Sequence, residues 1–221
     1  EFAGAMGATV FTYSLLDDAP WRAAAQTIYG KDQVPAYQLD QADLIVSFGG
    51  DFLEAWPSPV YYGRLFGEFR QGPRRSQGGH GRFIYIGPRM SMTAAKADLW
   101  LPCNPGTEAV LASAISAALG GAGTSIAQAA SASGLTEAQI QGVADEMRRA
   151  GPRTVAVPGN GLMSANATAA FTAVEALNTL VGSQCIGFGT AGIAVPPNSG
   201  GARGGAGLGG VQHLIQAMQA G

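Results

Sequence analysis

The stretch Asp43-Leu44-Ile45-Val46-Ser47-Phe48-Gly49-Gly50 decides the fold. A strand wetted on one face alternates apolar and polar residues. A nearly unbroken apolar run is the mark of a strand buried on both faces, as in a parallel sheet. Working outward, Pro57-Ser58-Pro59 precedes a helical stretch over 60–70, with Val60, Leu65, Phe66 and Phe69 on a shared face. RFIYI at 82–86 is the next strand, ending at Gly87-Pro88, and LWL at 99–101 is a short one ending at Pro102. Upstream, ATVFTYS at 8–14 is β-rich. Asp17-Asp18-Ala19-Pro20 then opens a helix over 21–29, with Asp18 as N-cap. Thr107 starts a helix through Leu119, with Glu108 in its positively polarised first turn. Strand and helix alternate, so the expected fold is α/β: parallel sheets flanked by helices in Rossmann-like layers.

Gly120-Gly121-Ala122-Gly123 divides the chain into a first α/β segment, 1–123, and a second, 124–221. The second holds a weak helix over 124–133 and a stronger one over 136–149. Thr136 and Gln139 have the spacing of a capping box there. TVAV at 154–157 is a strand, and 166–181 an Ala-rich helix ended by Gly182. Residues 187–210 are Gly/Pro-rich with Arg203 as their sole charge, and 211–219 form a final helix. So little charge in so long a loop predicts burial against another subunit or against more of the same polypeptide.

Composition narrows the function. Of 221 residues, 47% are hydrophobic and only 13% charged, with a net charge of -2. Ordinary soluble domains carry about 25% charged residues. The chain is either rich in small residues or buries much of its surface on partners. No basic, aromatic-rich patch suits nucleic acid, and no apolar run reaches the ~18 residues that span a bilayer. Two cysteines, Cys103 and Cys185, and two histidines, His80 and His213, lie scattered. That excludes a self-contained iron–sulfur cluster and disfavours a zinc site. The cysteines read as buried, reduced thiols. Glu1 opens the chain without an initiator Met, which reads as a processed product or part of something longer.

No Walker A or G-x-S-x-G sequence occurs, and no G-x-G-x-x-G follows an N-terminal strand. Residues 204–209 resemble the last by composition alone. His213 reads as a helix-face residue. What remains is Gly49-Gly50-Asp51 and Gly87-Pro88-Arg89, each at the carboxyl end of a strand. Ligands of open α/β sheets bind at that edge. Glycines there either admit a ligand to the backbone or simply end strands, and both readings stand.

These segments in order resemble the molybdopterin oxidoreductase superfamily: 42–49 with its proline turn and helix, 83–89, Thr93-Ala94-Ala95-Lys96-Ala97-Asp98, and Pro105-Gly106-Thr107-Glu108. Residues 134–150, 154–159 and 176–182 are similar to its middle domain. Cofactor-binding members show Gly-x-Asn-Pro where this chain has Gly49, Gly50, Asp51 and Phe52. They show Asp-Pro-Arg at Gly87-Pro88-Arg89, the Asp meeting the guanosine end of the pterin dinucleotide, and Pro-Gly-Thr-Asp where Glu108 stands here. If a cofactor were bound, the resemblance would place it on Gly49, Asp51, Pro88, Arg89, Thr107 and Glu108.

Residues 51–62 and 84–95 look most like one branch, the large extrinsic iron–sulfur subunit of alternative complex III. The resemblance implies a cofactor-free, non-catalytic part of a membrane-associated quinol-oxidising complex. It implies no metal in this chain, with iron–sulfur clusters and haem in partner domains or subunits. Its partners would be an iron–sulfur domain or subunit, a membrane quinol-binding subunit and a cytochrome c-type subunit, on the periplasmic face of a bacterial inner membrane. In that family another strand and turn would follow near Gly221. A rival reading is a domain of an active molybdenum or tungsten bis-pterin oxidoreductase with its remaining ligands on missing chain. Another is a free-standing α/β ligand-binding protein. The first reading predicts that Phe52, Arg89 or water fills the degenerate pterin cleft.

Overall fold

The computed structural model describes residues 5–7, 18–71, 79–159, 167–188 and 214–219. Helix α1, Ala19–Tyr29, has Pro20 in its first turn and buries Trp21, Ala24 and Ala25, at the spacing of one helix face. It stops at Gly30, whose φ of 68° is the left-handed conformation that glycine adopts freely. The two-residue strand β1, Ala36–Tyr37, follows. It pairs antiparallel with β6, Ile186–Gly187.

The main sheet contains β2 (Leu44–Phe48), β3 (Arg82–Ile86), β4 (Leu99–Leu101) and β5 (Thr154–Pro158). Their order is β4-β3-β2-β5 and every pairing is parallel, with Ile45 opposite both Phe83 and Val155. The expected parallel, helix-flanked α/β architecture is therefore present, and β5 from the second segment joins strands of the first.

The apolar run of β2 has a direct cause. Ile45 faces an aromatic core with Phe83, Tyr85 and Val155, whereas Leu44, Val46 and Phe48 face an aliphatic core with Ile84, Ile86 and Ala156. The aromatic core is completed by Trp21 of α1, by Phe52 and Trp56, and by Phe66 and Phe69 of α2, Pro59–Gln71. Gly81 is required there: a Cβ at this position would lie 1.9 Å from the Phe69 ring. The aliphatic core takes Leu111 and Ile115 from α3 (Glu108–Ala118), Ala129 from α4 (Ile126–Ser133), and Ile140, Val143 and Met147 from α5 (Glu137–Ala150). The α5 capping box forms as its spacing predicts, with both Thr136 and Gln139 bonds made.

Helix α6, Ala167–Leu180, gives Phe171 to the aromatic core and Val174 and Leu177 to the aliphatic one. It therefore stands at the β5 end of the sheet and touches both layers. The strand expected at 8–14, His213, and all of the 187–210 loop beyond residue 188 lie outside the described residues. Residues 214–219 are helical. Among the described residues no helix is long and apolar enough to cross a membrane.

Candidate functional site

Parallel pairing brings the carboxyl ends of β2, β3 and β5 to one edge, where the first turns of α3 and α6 arrive. The chain reverses sharply after β2. Gly49 takes φ 74°, and the Ser47 hydroxyl accepts from Gly50 N at 2.8 Å and donates to Gly50 O at 3.0 Å. Gly50 must be glycine, because a Cβ would sit 2.5 Å from Pro158 O. The result is a cleft of about 270 Å³ walled by Phe48, Gly49, Asp51, Tyr85, Pro88, Arg89, Gly106, Glu108, Gly159 and Phe171.

Five of the six positions singled out from the sequence meet there: Gly49, Asp51, Pro88, Arg89 and Glu108. Thr107 is not among the lining residues. It is the N-cap residue of α3, and its hydroxyl donates to Asn104 O at 2.6 Å. Phe52 departs from expectation. It is fully buried in the aromatic core, packed edge-on or tilted against Trp56, Phe66 and Phe83, and does not line the cleft. A ring in the proline's position after Asp51 gains more from full burial in that aromatic layer than from a partly open cleft.

Asp51 is the centre of the site. Its carboxylate is 8% exposed and accepts from the Tyr85 hydroxyl at 2.7 Å, from Arg89 Nη2 at 2.9 Å and from the Ser91 hydroxyl. Ser91 in turn accepts from Ala94 N at 3.0 Å, fixing the loop after β3. Burial, with the carboxylate adding to it, raises the Tyr85 hydroxyl far above its ordinary value. Tyr85 therefore stays protonated and donates. Arg89 is 70% exposed and also lies 3.8 Å from Glu54.

Glu108 stands across the cleft in the first turn of α3, its Oε1 3.8 Å from where a Cβ on Gly49 would lie. It makes no hydrogen bond or ion pair with the described residues. Tyr85 and Ser91 were not legible as site residues; the only sequence signal was their placement two residues either side of Gly87 and Arg89. No group of three or more potential metal-ligating side chains occurs among the described residues.

The residues at this edge do not suit a pterin dinucleotide bound as the resemblance implies. Gly87 offers no carboxylate, and a Cβ there would lie 2.7 Å from Tyr85 Cε1. The nearby Asp51 carboxylate is committed to three internal donors. Glu108 places a second carboxylate in the cleft lining, opposite Gly49. The Asp51 hydrogen bonds tie the turn after β2 to β3 and the loop that follows it.

No known protein family profile matches the chain. Three curated relatives do. The menaquinone reductase, molybdopterin-binding-like subunit, of Nitratidesulfovibrio vulgaris is 31% identical over 90 residues, 41% of this chain and 13% of that protein. The arsenate respiratory reductase molybdopterin-containing subunit ArrA of Shewanella sp. strain ANA-3 is 33% identical over 79 residues, 36% of this chain and 8% of that protein. The nitrate reductase of Shewanella frigidimarina is 32% identical over 106 residues, 47% of this chain and 10% of that protein. The chain thus spans about a tenth of these relatives. Among solved structures, acetylene hydratase from Pelobacter acetylenicus superposes with a TM-score of 0.61 over 77% of this chain and 25% of that one, at 16% identity. Together these similarities support a molybdopterin-oxidoreductase-like chain with that fold.

Proposed function

We propose that this chain is a non-catalytic, cofactor-free part of a membrane-associated quinol-oxidising electron-transfer complex of the alternative complex III type. In this reading it holds other redox subunits in place and performs no chemistry itself. The observation that carries the reading is the refitted edge: the Tyr85 ring packs against Gly87, and Asp51 is consumed by Tyr85, Ser91 and Arg89. A ligand that loses a buried hydrogen-bond partner loses about 1–3 kcal/mol, and about 1.4 kcal/mol is tenfold in affinity. A relative described as a molybdopterin-binding-like subunit of menaquinone reductase supports a place in a quinone-linked redox complex. The sparse charge supports burial on partners: an iron–sulfur domain or subunit, a membrane quinol-binding subunit and a cytochrome c-type subunit at the periplasmic face. Clusters and haem belong to those partners.

Elemental analysis of the complex purified from its source membranes tests this. Iron from clusters and haem is expected, with molybdenum and tungsten far below one atom per chain. One molybdenum or tungsten per chain would instead establish the active bis-pterin enzyme. Isolation of the native chain from those membranes with no partner subunit bound to it would refute the assembly role.

A further inference from the structure

Glu175 lies in the middle of α6 and is 1% exposed. It was invisible to motif reading, being a single acid in an Ala-rich helix. Its neighbours are hydroxyls and an amide. Tyr37 of β1 bonds Oε1, while Tyr29 of α1 lies 2.8 Å and Asn178 Nδ2 3.2 Å from Oε2. The titratable groups facing it are Tyr29 on α1, Tyr37 on β1 and, further off, Tyr62 on α2. The adjoining α3 contributes only Glu108, at the cleft, and β5 contributes no titratable group. Lys31 sits 4.4 Å over the Phe188 ring, which itself packs on Tyr29, and Lys31 does not reach the carboxylate. No cation pairs with Glu175 among the described residues.

The hydrogen bonds fit either protonation state, and the counter-charge separates the two. Tyr29 Oη has two acceptors within reach, Glu175 Oε2 at 2.8 Å and the Glu175 main-chain O at 3.4 Å, but one proton to give. If Glu175 is a neutral acid, Oε2–H donates to Tyr29 Oη, Tyr29 donates to the main-chain O, and Tyr37 donates to the carbonyl Oε1. Every hydrogen then has an acceptor. If Glu175 is ionised, Tyr29, Tyr37 and Asn178 all donate to the carboxylate, but a full charge is buried with no counter-charge among the described residues, a state that proteins avoid by neutralising the group.

We propose that Glu175 is held as a neutral carboxylic acid in the folded chain, the protonated centre of a latch that fastens α1 and β1 to α6, and that its ionisation releases the latch. Burial, its largest influence, raises the carboxyl above its ordinary range although Tyr37, Tyr29 and Asn178 pull the other way. The sign follows. A group whose folded value is raised gives stability that is fully present below the unfolded value, about 4.3 for glutamate, and is lost as pH climbs toward the folded value. In that window the folding constant falls about tenfold per pH unit, one proton's worth. This inference is independent of the proposed function.

The test is denaturant unfolding of the full chain from acid to mildly alkaline pH, for wild type and Glu175→Gln. The Gln variant lacks the proton equilibrium but keeps the shape. The expected result is a fall of one proton's slope in the wild type that is absent from the variant. Parallel curves would overturn the proposal. Should Glu175→Gln fail to fold, infrared spectra of the wild type in D₂O at neutral pH decide. A protonated carboxyl band that moves on labelling glutamate with ¹³C at Cδ is expected. Its absence refutes the neutral acid.

Discussion

Asn178 of α6 hydrogen-bonds both main-chain groups of Ala156 on β5: its Oδ1 accepts from Ala156 N at 2.7 Å and its Nδ2 donates to Ala156 O at 2.8 Å. The side-chain amide stands where the peptide group of a further strand would otherwise pair. The same edge is covered by Ser183, whose hydroxyl donates to Thr154 O at 2.6 Å, and it ends at Pro158, which has no N–H to satisfy. A sheet edge is a hazard for unwanted pairing, and here side chains close it.

Asn178→Leu would leave two buried backbone groups unpaired, at about 1–3 kcal/mol each. The expected loss is about 2–5 kcal/mol in urea unfolding. Ser183→Ala, at a half-buried position, removes the donor to Thr154 O and the acceptor of Cys185 N and should cost less. A loss below about 1 kcal/mol for Asn178→Leu would mean that the edge finds other partners.

Asp51 organises the cleft from inside, so Asp51→Asn should hurt more than Arg89→Ala. The Asn amide brings two donors against Tyr85, Ser91 and Arg89, all of which are already donors to that position. About 2–4 kcal/mol is expected for a buried, hydrogen-bonded carboxylate stripped of its role. Arg89 is largely in solvent, where ion pairs contribute little. Thermal melts of the two variants check the order, and a larger shift for Arg89→Ala would contradict it.

Much of this was legible in the sequence, for physical reasons that also mark the boundary. The run over 43–48 betrays a strand buried on both faces, because each of its faces meets a different core. Thr136 with Gln139 announces the start of α5, because capping is a local interaction. The meeting of Gly49, Asp51, Pro88, Arg89 and Glu108 follows from parallel topology alone. The strands β1 and β6 escaped, since two residues carry no periodicity. The direction of Phe52, the role of Tyr85 and the surroundings of Glu175 escaped as well. Each depends on which layer a side chain enters, and that is set in part by residues distant in sequence: Phe83 for Phe52, Asp51 for Tyr85, and Tyr29 and Tyr37 for Glu175.

Cys103 is buried beside α3, and burial pushes its thiol up to about 11, against a weaker lowering by the Thr107 hydroxyl and with a further rise from Glu108. At neutral pH only about one thiol in ten thousand is then ionised, and the thiolate is the nucleophile. Cys185 is 1% exposed. Ellman's reagent should therefore leave the native chain unmodified over minutes and react with two thiols per chain in guanidinium. Fast reaction of one thiol in the native chain would show that Cys103 is more open than its packing here.

Gly87→Asp restores the Asp-Pro-Arg triplet of the cofactor-binding proteins that this chain resembles, and it should not restore a binding site. The new Cβ would lie 2.7 Å from Tyr85 Cε1, so the Tyr85 ring or the β3 backbone must move. Tyr85 is not free to move. Its hydroxyl is tied to Asp51 at 2.7 Å and its ring packs on Phe83, while Trp100 Nε1 holds Gly87 O at 3.1 Å. The new carboxylate would also face Asp51 and Glu54 with Arg89 as the shared cation. Overpacking of this kind costs about 1–3 kcal/mol. Gly87→Asp should therefore melt earlier than wild type and show no saturable binding of GMP by calorimetry. If Gly87→Asp alone is as stable as wild type, the Tyr85 ring is not what bars a carboxylate from this edge, and the argument for a refitted cleft fails with it.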